Sequence, residues 1–148
     1  MGNAASETPE AQLCLSFLVR QAWLSMRSSV DVVLEEHRLS VAQYAALLVL
    51  EDNPGISLSE VARVVASTRQ AATELVAGLE REGLAERHRH PENRRTHQVF
   101  LSEVGKQRLA LARPAVQARE RLLEENLTQG QKDAARAWLA HMVTASEA

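Results

Sequence analysis

The sequence predicts a mainly α-helical fold, a winged helix-turn-helix enclosed by N- and C-terminal dimerisation helices, and three observations lead to it. Serine stands three residues ahead of Gln or Glu at Ser40/Gln43, Ser57/Glu60 and Ser67/Gln70, the spacing of a capping box that starts a helix. Around the polar run Pro91-Glu92-Asn93-Arg94-Arg95 the apolar period turns from helical to extended, as in a hairpin. On both flanks apolar residues recur at helical spacing over more surface than one small domain can cover.

The first element, Pro9 to about His37, carries Leu15, Leu18, Val19, Ala22, Met26, Val30, Val33 and Leu34 on one helical face. A second helix runs from Ser40 to about Asp52 and stops at the turn residues Asn53-Pro54-Gly55. A third, Leu58 to about Ala66, buries Val61, Ala62 and Val65. A fourth, Thr68 to Glu82, buries Ala72, Leu75, Val76 and Leu79 before Gly83 supplies a left-handed C-terminal residue. Two short capped helices joined by a tight connection make a helix-turn-helix. Leu84 to His90 and Thr96 to Leu101 pair as a two-stranded wing. Ser102 to about Asn126 is helical again and bent by Pro114. A last helix starts at Thr128, capped by Gln131, with Ala134, Ala135, Trp138, Leu139, Met142 and Val143 on one stripe. Residues 1–148 thus read as one protomer, with a central lobe at about 40–101 and dimerisation helices at about 9–37 and 102–145. A twofold homodimer is the simplest way to bury the flanking stripes.

A chain of 148 residues with 45% hydrophobic and 24% charged residues is neither disordered nor collagen-like. Its central uncharged apolar stretch, Leu39 to Leu50, is far short of the roughly 20 residues of a membrane helix. The single cysteine, Cys14, forbids an intrachain disulfide, and without a signal-peptide pattern the expected compartment is the cytoplasm. The net charge of −2 hides an asymmetry: Ala62 to His97 holds seven Arg against five Glu, a balance of +2, which leaves −4 for the rest. Local charge of this kind governs docking on phosphates. No G-x-S-x-G, P-loop, dinucleotide fingerprint or paired helical metal ligand occurs, so neither catalysis nor a cofactor is expected.

Five segments, in order and in register, resemble one family. They are His37-Arg38-Leu39-Ser40-Val41-Ala42-Gln43-Tyr44, Ser57-Leu58-Ser59-Glu60-Val61-Ala62, Ser67-Thr68-Arg69-Gln70-Ala71-Ala72-Thr73, Leu79-Glu80-Arg81-Glu82-Gly83-Leu84, and His90-Pro91-Glu92-Asn93-Arg94-Arg95 through Leu101-Ser102-Glu103-Val104-Gly105. Together they resemble the MarR family of bacterial transcriptional regulators over about residues 12–145. The resemblance implies a winged helix-turn-helix homodimer that binds pseudo-palindromic double-stranded operators, often released by small phenolic or carboxylate ligands.

The residues themselves support the DNA half of that implication. Ser67, Thr68, Arg69, Gln70 and Thr73 open the fourth helix and offer a guanidinium for guanine, an amide for adenine and hydroxyls for phosphates or bases. The plainer reading, a solvated helix face, loses ground beside the preceding capped helix and the wing. Glu74 departs from the family, whose matching position is often basic. The wing sets Arg87, Arg89, Arg94 and Arg95 against Glu92 alone between residues 87 and 97, with His88, His90 and His97 able to add charge in acid. A hairpin-tip Arg senses minor-groove potential. The resemblance implies an Asp two positions before Arg95 that holds it in place. Asn93 stands there instead, an acceptor without charge.

Three readings compete for sensing. His88, His90 and His97 with Glu92 hint at zinc, but alternation along a strand leaves no closed ligand set. Cys14 sits in Gln12-Leu13-Cys14-Leu15, similar to the reactive-cysteine segment of the peroxide-sensing branch of the family. That branch surrounds its thiol with tyrosines, whereas Tyr44 is the sole tyrosine here, which favours Cys14 as a small buried apolar residue. The third reading is a pocket for a small aromatic ligand between the first, Ser40 and Ser102 helices, with Arg20 and Arg27 pairing a carboxylate and Trp23 and Tyr44 stacking on a ring. A DNA-free protein-interaction module on the same fold is the remaining rival.

Overall fold

The structure, a computed structural model, describes residues 9–65 and 68–145. Its N-terminal element is two helices rather than one. α1 (Glu10–Leu13) ends at Cys14, whose extended backbone (φ −82, ψ 109) precedes α2 (Leu15–Glu35). The backbone stays paired through this break, because Cys14 N–H donates to Glu10 O at 3.2 Å and Leu18 N–H donates to Cys14 O at 3.0 Å. α2 closes with Arg38 in the left-handed region (φ 54) and Leu39 N–H bonded back to Leu34 O at 3.1 Å, a C-terminal turn that drives Leu39 into the core.

Local side-chain chemistry sets the next starts. Ser40 caps α3 (Val41–Asp52) in a complete box: its hydroxyl accepts Gln43 N–H at 3.1 Å and Gln43 Oε1 accepts Ser40 N–H at 2.9 Å. Gly55 (φ 82) turns the chain into β1 (Ile56–Ser57), and Ser57 and Glu60 cap α4 (Leu58–Val65) reciprocally. The cap of α5 (Arg69–Arg81) is Thr68, which accepts Ala71 N–H at 3.0 Å. The expected Ser67–Gln70 box rests on Ser67, which lies outside the described residues. Gly83 (φ 71) leads into β2 (Ala85–Arg89), which pairs antiparallel with β3 (His97–Leu101) from Ala85↔Leu101 to Arg89↔His97. Two expected strands become three, because Ile56 pairs with Val99 and the sheet order is β1-β3-β2.

α6 (Glu103–Leu123) contains Pro114 and is capped by Ser102. That hydroxyl accepts Gly105 N–H at 2.9 Å and donates to Gly83 O at 2.6 Å, tying the foot of the wing to α6. Leu34, Leu47, Leu50, Val61, Val76, Leu79, Val99 and Leu109, from six different elements, are fully buried in one core, each worth about 1.5 to 3 kcal/mol of apolar burial. The outer half of α2 and all of α7 (Gln129–Ala145) take no part in that core. Leu15, Trp23, Leu139 and Met142 are 62%, 49%, 48% and 50% exposed, apolar faces that a lone protomer leaves in water. Among the described residues no helix is long and apolar enough to cross a membrane.

Candidate nucleic-acid interface

α5 buries Ala72, Val76 and Leu79 and turns Arg69, Gln70 and Thr73 outward. Thr68 spends its oxygen on the cap. Thr73 donates its hydroxyl to Arg69 O at 2.9 Å, which leaves its lone pairs facing out. Glu74 shares the exposed face, since Gln70 Nε2 donates to Glu74 Oε1 at 3.2 Å. The acidic residue thus orients the amide one turn before it.

Arg87, one of the arginines expected at the DNA, is engaged within the lobe. Its Nε and Nη2 donate to Glu80 Oε1 and Oε2 at 3.0 and 3.3 Å in a half-buried pair. A bidentate pair of this kind is directional, so Arg87 braces β2 against α5. Sequence reading missed it because Glu80 lies on the preceding helix, a tertiary partner. Arg89, Arg94 and Arg95 are exposed. At the tip Asn93 Oδ1 accepts the backbone N–H of Arg95 at 3.1 Å, and Asn93 O accepts Thr96 N–H at 3.0 Å. The amide shapes the turn through the backbone and leaves the Arg95 side chain to the solvent.

The three wing histidines have separate partners. His88 bonds Glu86 at 3.3 Å and tilts against the Phe100 ring at 5.4 Å. His90 Nδ1 accepts two turn amides, and His97 pairs across the strand with Arg89. Among the described residues no three His, Cys, Asp or Glu side chains group as metal ligands.

The four residues expected at a ligand pocket are divided. Arg20 and Trp23 line a cavity of ≈ 550 Å³ with Leu15, Ser16, Val19, Trp138 and Met142, between α2 and α7. Arg27 pairs with Asp31 at 3.8 Å. Tyr44 lies on α3 toward α6, where Arg113 pairs with Glu51, and burial pushes its phenol above the ordinary range. Cys14 is exposed in the protomer rather than buried, and the Ser16 hydroxyl at 3.3 Å lowers its thiol pKa.

A capped helix pair, a wing braced on the second helix and exposed arginines at the wing tip define a winged helix-turn-helix protein. The MarR family model matches residues 38–96. A structure of the transcriptional repressor CouR bound to a 23-mer DNA duplex superposes with a TM-score of 0.84 at 30% identity, covering 90% of this chain and 95% of that one. The chain belongs to the MarR family. CouR bound to p-coumaroyl-CoA gives a TM-score of 0.80 at 28% identity over 93% of this chain and 96% of that one. The transcriptional regulator HosA of Escherichia coli O111:H- is 33% identical over 76 residues, which span 51% of this chain and only 56% of that relative.

Proposed function

We propose that the chain is a homodimeric, cytoplasmic transcriptional repressor that reads a pseudo-palindromic operator, performs no catalysis and is released by a small phenolic or carboxylate ligand. One observation carries the DNA reading: an outward Arg69-Gln70-Thr73 face and a wing tipped by Arg94 and Arg95 occupy one lobe, on a fold shared with a repressor in complex with duplex DNA. The dimer follows from the exposed apolar faces of α2 and α7, since twofold pairing buries like against like. It also sets two recognition helices about one helical turn of DNA apart.

Two substitutions test the division of labour. Arg95→Ala removes a cation that feels phosphate and groove width, so affinity falls on every duplex. Gln70→Ala removes an amide that pairs with one base, so discrimination at a single position relaxes by about 1 to 3 kcal/mol. Binding curves on operator and scrambled duplexes separate them. Equal losses on both duplexes for Gln70→Ala remove that residue from base readout.

An aromatic carboxylate suits the cavity where Trp23 and Trp138 offer ring faces and Arg20 a cation. The structure of CouR with p-coumaroyl-CoA supports an aromatic effector. Because the cavity lies on the proposed dimer face, a ligand there alters the spacing of the two recognition helices. Coupling is reciprocal: ligand weakens operator binding, and operator weakens ligand binding, by the same factor of about 5 to 150. Benzoic and phenolic acids screened by thermal shift, then by DNA competition with Arg20→Ala alongside, check this. The exposed, acidified Cys14 favours a second reading. Under it, peroxide releases DNA from the parent and not from Cys14→Ser, and no aromatic acid shifts melting.

A further inference from the structure

The wing turn is organised by a side chain that the DNA-binding reading leaves unused. His90 Nδ1 accepts the backbone N–H of Glu92 at 3.1 Å and that of Asn93 at 3.3 Å. The backbone N–H of His90 donates to Thr96 O at 2.8 Å and closes the base of the turn. The imidazole therefore sits inside the loop that carries Arg94 and Arg95, with both turn amides aimed at one ring nitrogen. A nitrogen that accepts a hydrogen bond carries no proton, so this geometry requires the neutral ring protonated on Nε2.

We propose that His90 is a positioning residue of the wing: its Nδ1 lone pair gathers the Glu92 and Asn93 amides and so presents Arg94 and Arg95 to DNA in one geometry, which protonation of that nitrogen releases. The imidazolium has a donor at each nitrogen and cannot accept either amide. The charged groups around it are Glu92, Arg94 and Arg95 in the turn, Arg89 next to it on β2 and His97 opposite Arg89 on β3. Among the described residues no carboxylate forms an ion pair with the His90 ring. Asn93 completes the turn from the other side by accepting Arg95 N–H. Loss of the His90 contacts thus leaves the tip half-tied rather than unfolded.

Two opposite effects on DNA affinity follow protonation, a looser tip and an added positive charge, so the test uses variants at a pH where the ring is neutral. Asn places an oxygen where Nδ1 lies, Gln places its polar end where Nε2 lies, and Ala removes both. At about pH 8, His90→Asn is expected to bind operator like the parent. His90→Ala and His90→Gln are expected to bind about 2- to 10-fold more weakly, the scale of one or two lost hydrogen bonds. In the free protein, the Glu92 and Asn93 amide shifts should move in step with the His90 ring as pH falls toward about 5, and stay flat in His90→Asn. The affinity arm rests on the DNA-binding reading and the amide arm does not. If the parent binds no duplex, that reading fails while the amide titration still decides the contact. Amide shifts that ignore the ring, all three variants binding like the parent, or rescue by Gln and not by Asn, would each overturn the proposal.

Discussion

Gly105→Ala is expected to destabilise the protein by about 3 kcal/mol, the upper range for overpacking a rigid site. Gly105 lies in the first turn of α6, and its missing side chain lets that turn seat on the end of α5 and the wing. A Cβ there meets the Leu84 carbonyl oxygen far inside contact distance and Leu101 Cδ1 at 2.8 Å. The first of these is backbone and cannot rotate away. It is also the acceptor for Ser102 N–H at 3.0 Å, so displacing it strains the cap that joins α6 to the foot of the wing. For a chain of this length the melting temperature should fall by about 10 °C at fixed protein concentration. Gly130→Ala is the control. It also lies in a helix, but nothing stands within 4 Å of its added Cβ, and it should be neutral or stabilise by up to about 1 kcal/mol. Equal melting shifts for the two variants would show that α6 does not depend on close approach.

Trp138→Glu should convert the dimer to monomer and weaken operator binding by about 10²- to 10⁴-fold. The second half-site contact becomes intramolecular only when the protomers are joined. Trp138 is 37% exposed in the protomer, on a helix without a buried residue of its own. A carboxylate there leaves the core of the lobe intact while placing charge in the proposed apolar interface, where an unpaired charge is strongly unfavourable. Sedimentation and operator titration on one sample check both halves. Helix content should stay near the parent's, because Leu50, Val76 and Leu109 are packed elsewhere. A monomeric variant that holds a full operator with parental affinity would remove the dimer from the mechanism.

Much of this architecture is legible because its instructions are local. The boxes at Ser40, Ser57 and Thr128 involve residues three apart, and all form as hydrogen bonds. At α5 the described cap is Thr68, a hydroxyl residue of the kind that favours that position. What the chain conceals is tertiary. β1 is two residues long and exists because Ile56 meets Val99, a pairing that no local pattern announces. Arg87 looks like one more wing cation until Glu80 arrives beside it. The break at Cys14 and the left-handed Arg38 carry no Gly or Pro to mark them. The wing tip shows both sides at once: Asn93 was legible as a turn acceptor, whereas His90 acquires its partners only when the loop closes.

The most direct measurement is selection of bound sequences from a random duplex library by the full chain, followed by titration of the enriched and a scrambled duplex across salt. A dimeric reader predicts two symmetric half-sites about 10 bp apart. On the enriched duplex, affinity should fall by about 10³- to 10⁵-fold between about 50 and 200 mM salt as released counterions are replaced. No enriched sequence, together with no salt-dependent affinity for any duplex, would contradict the DNA-binding function and leave a protein-interaction module on a winged-helix frame.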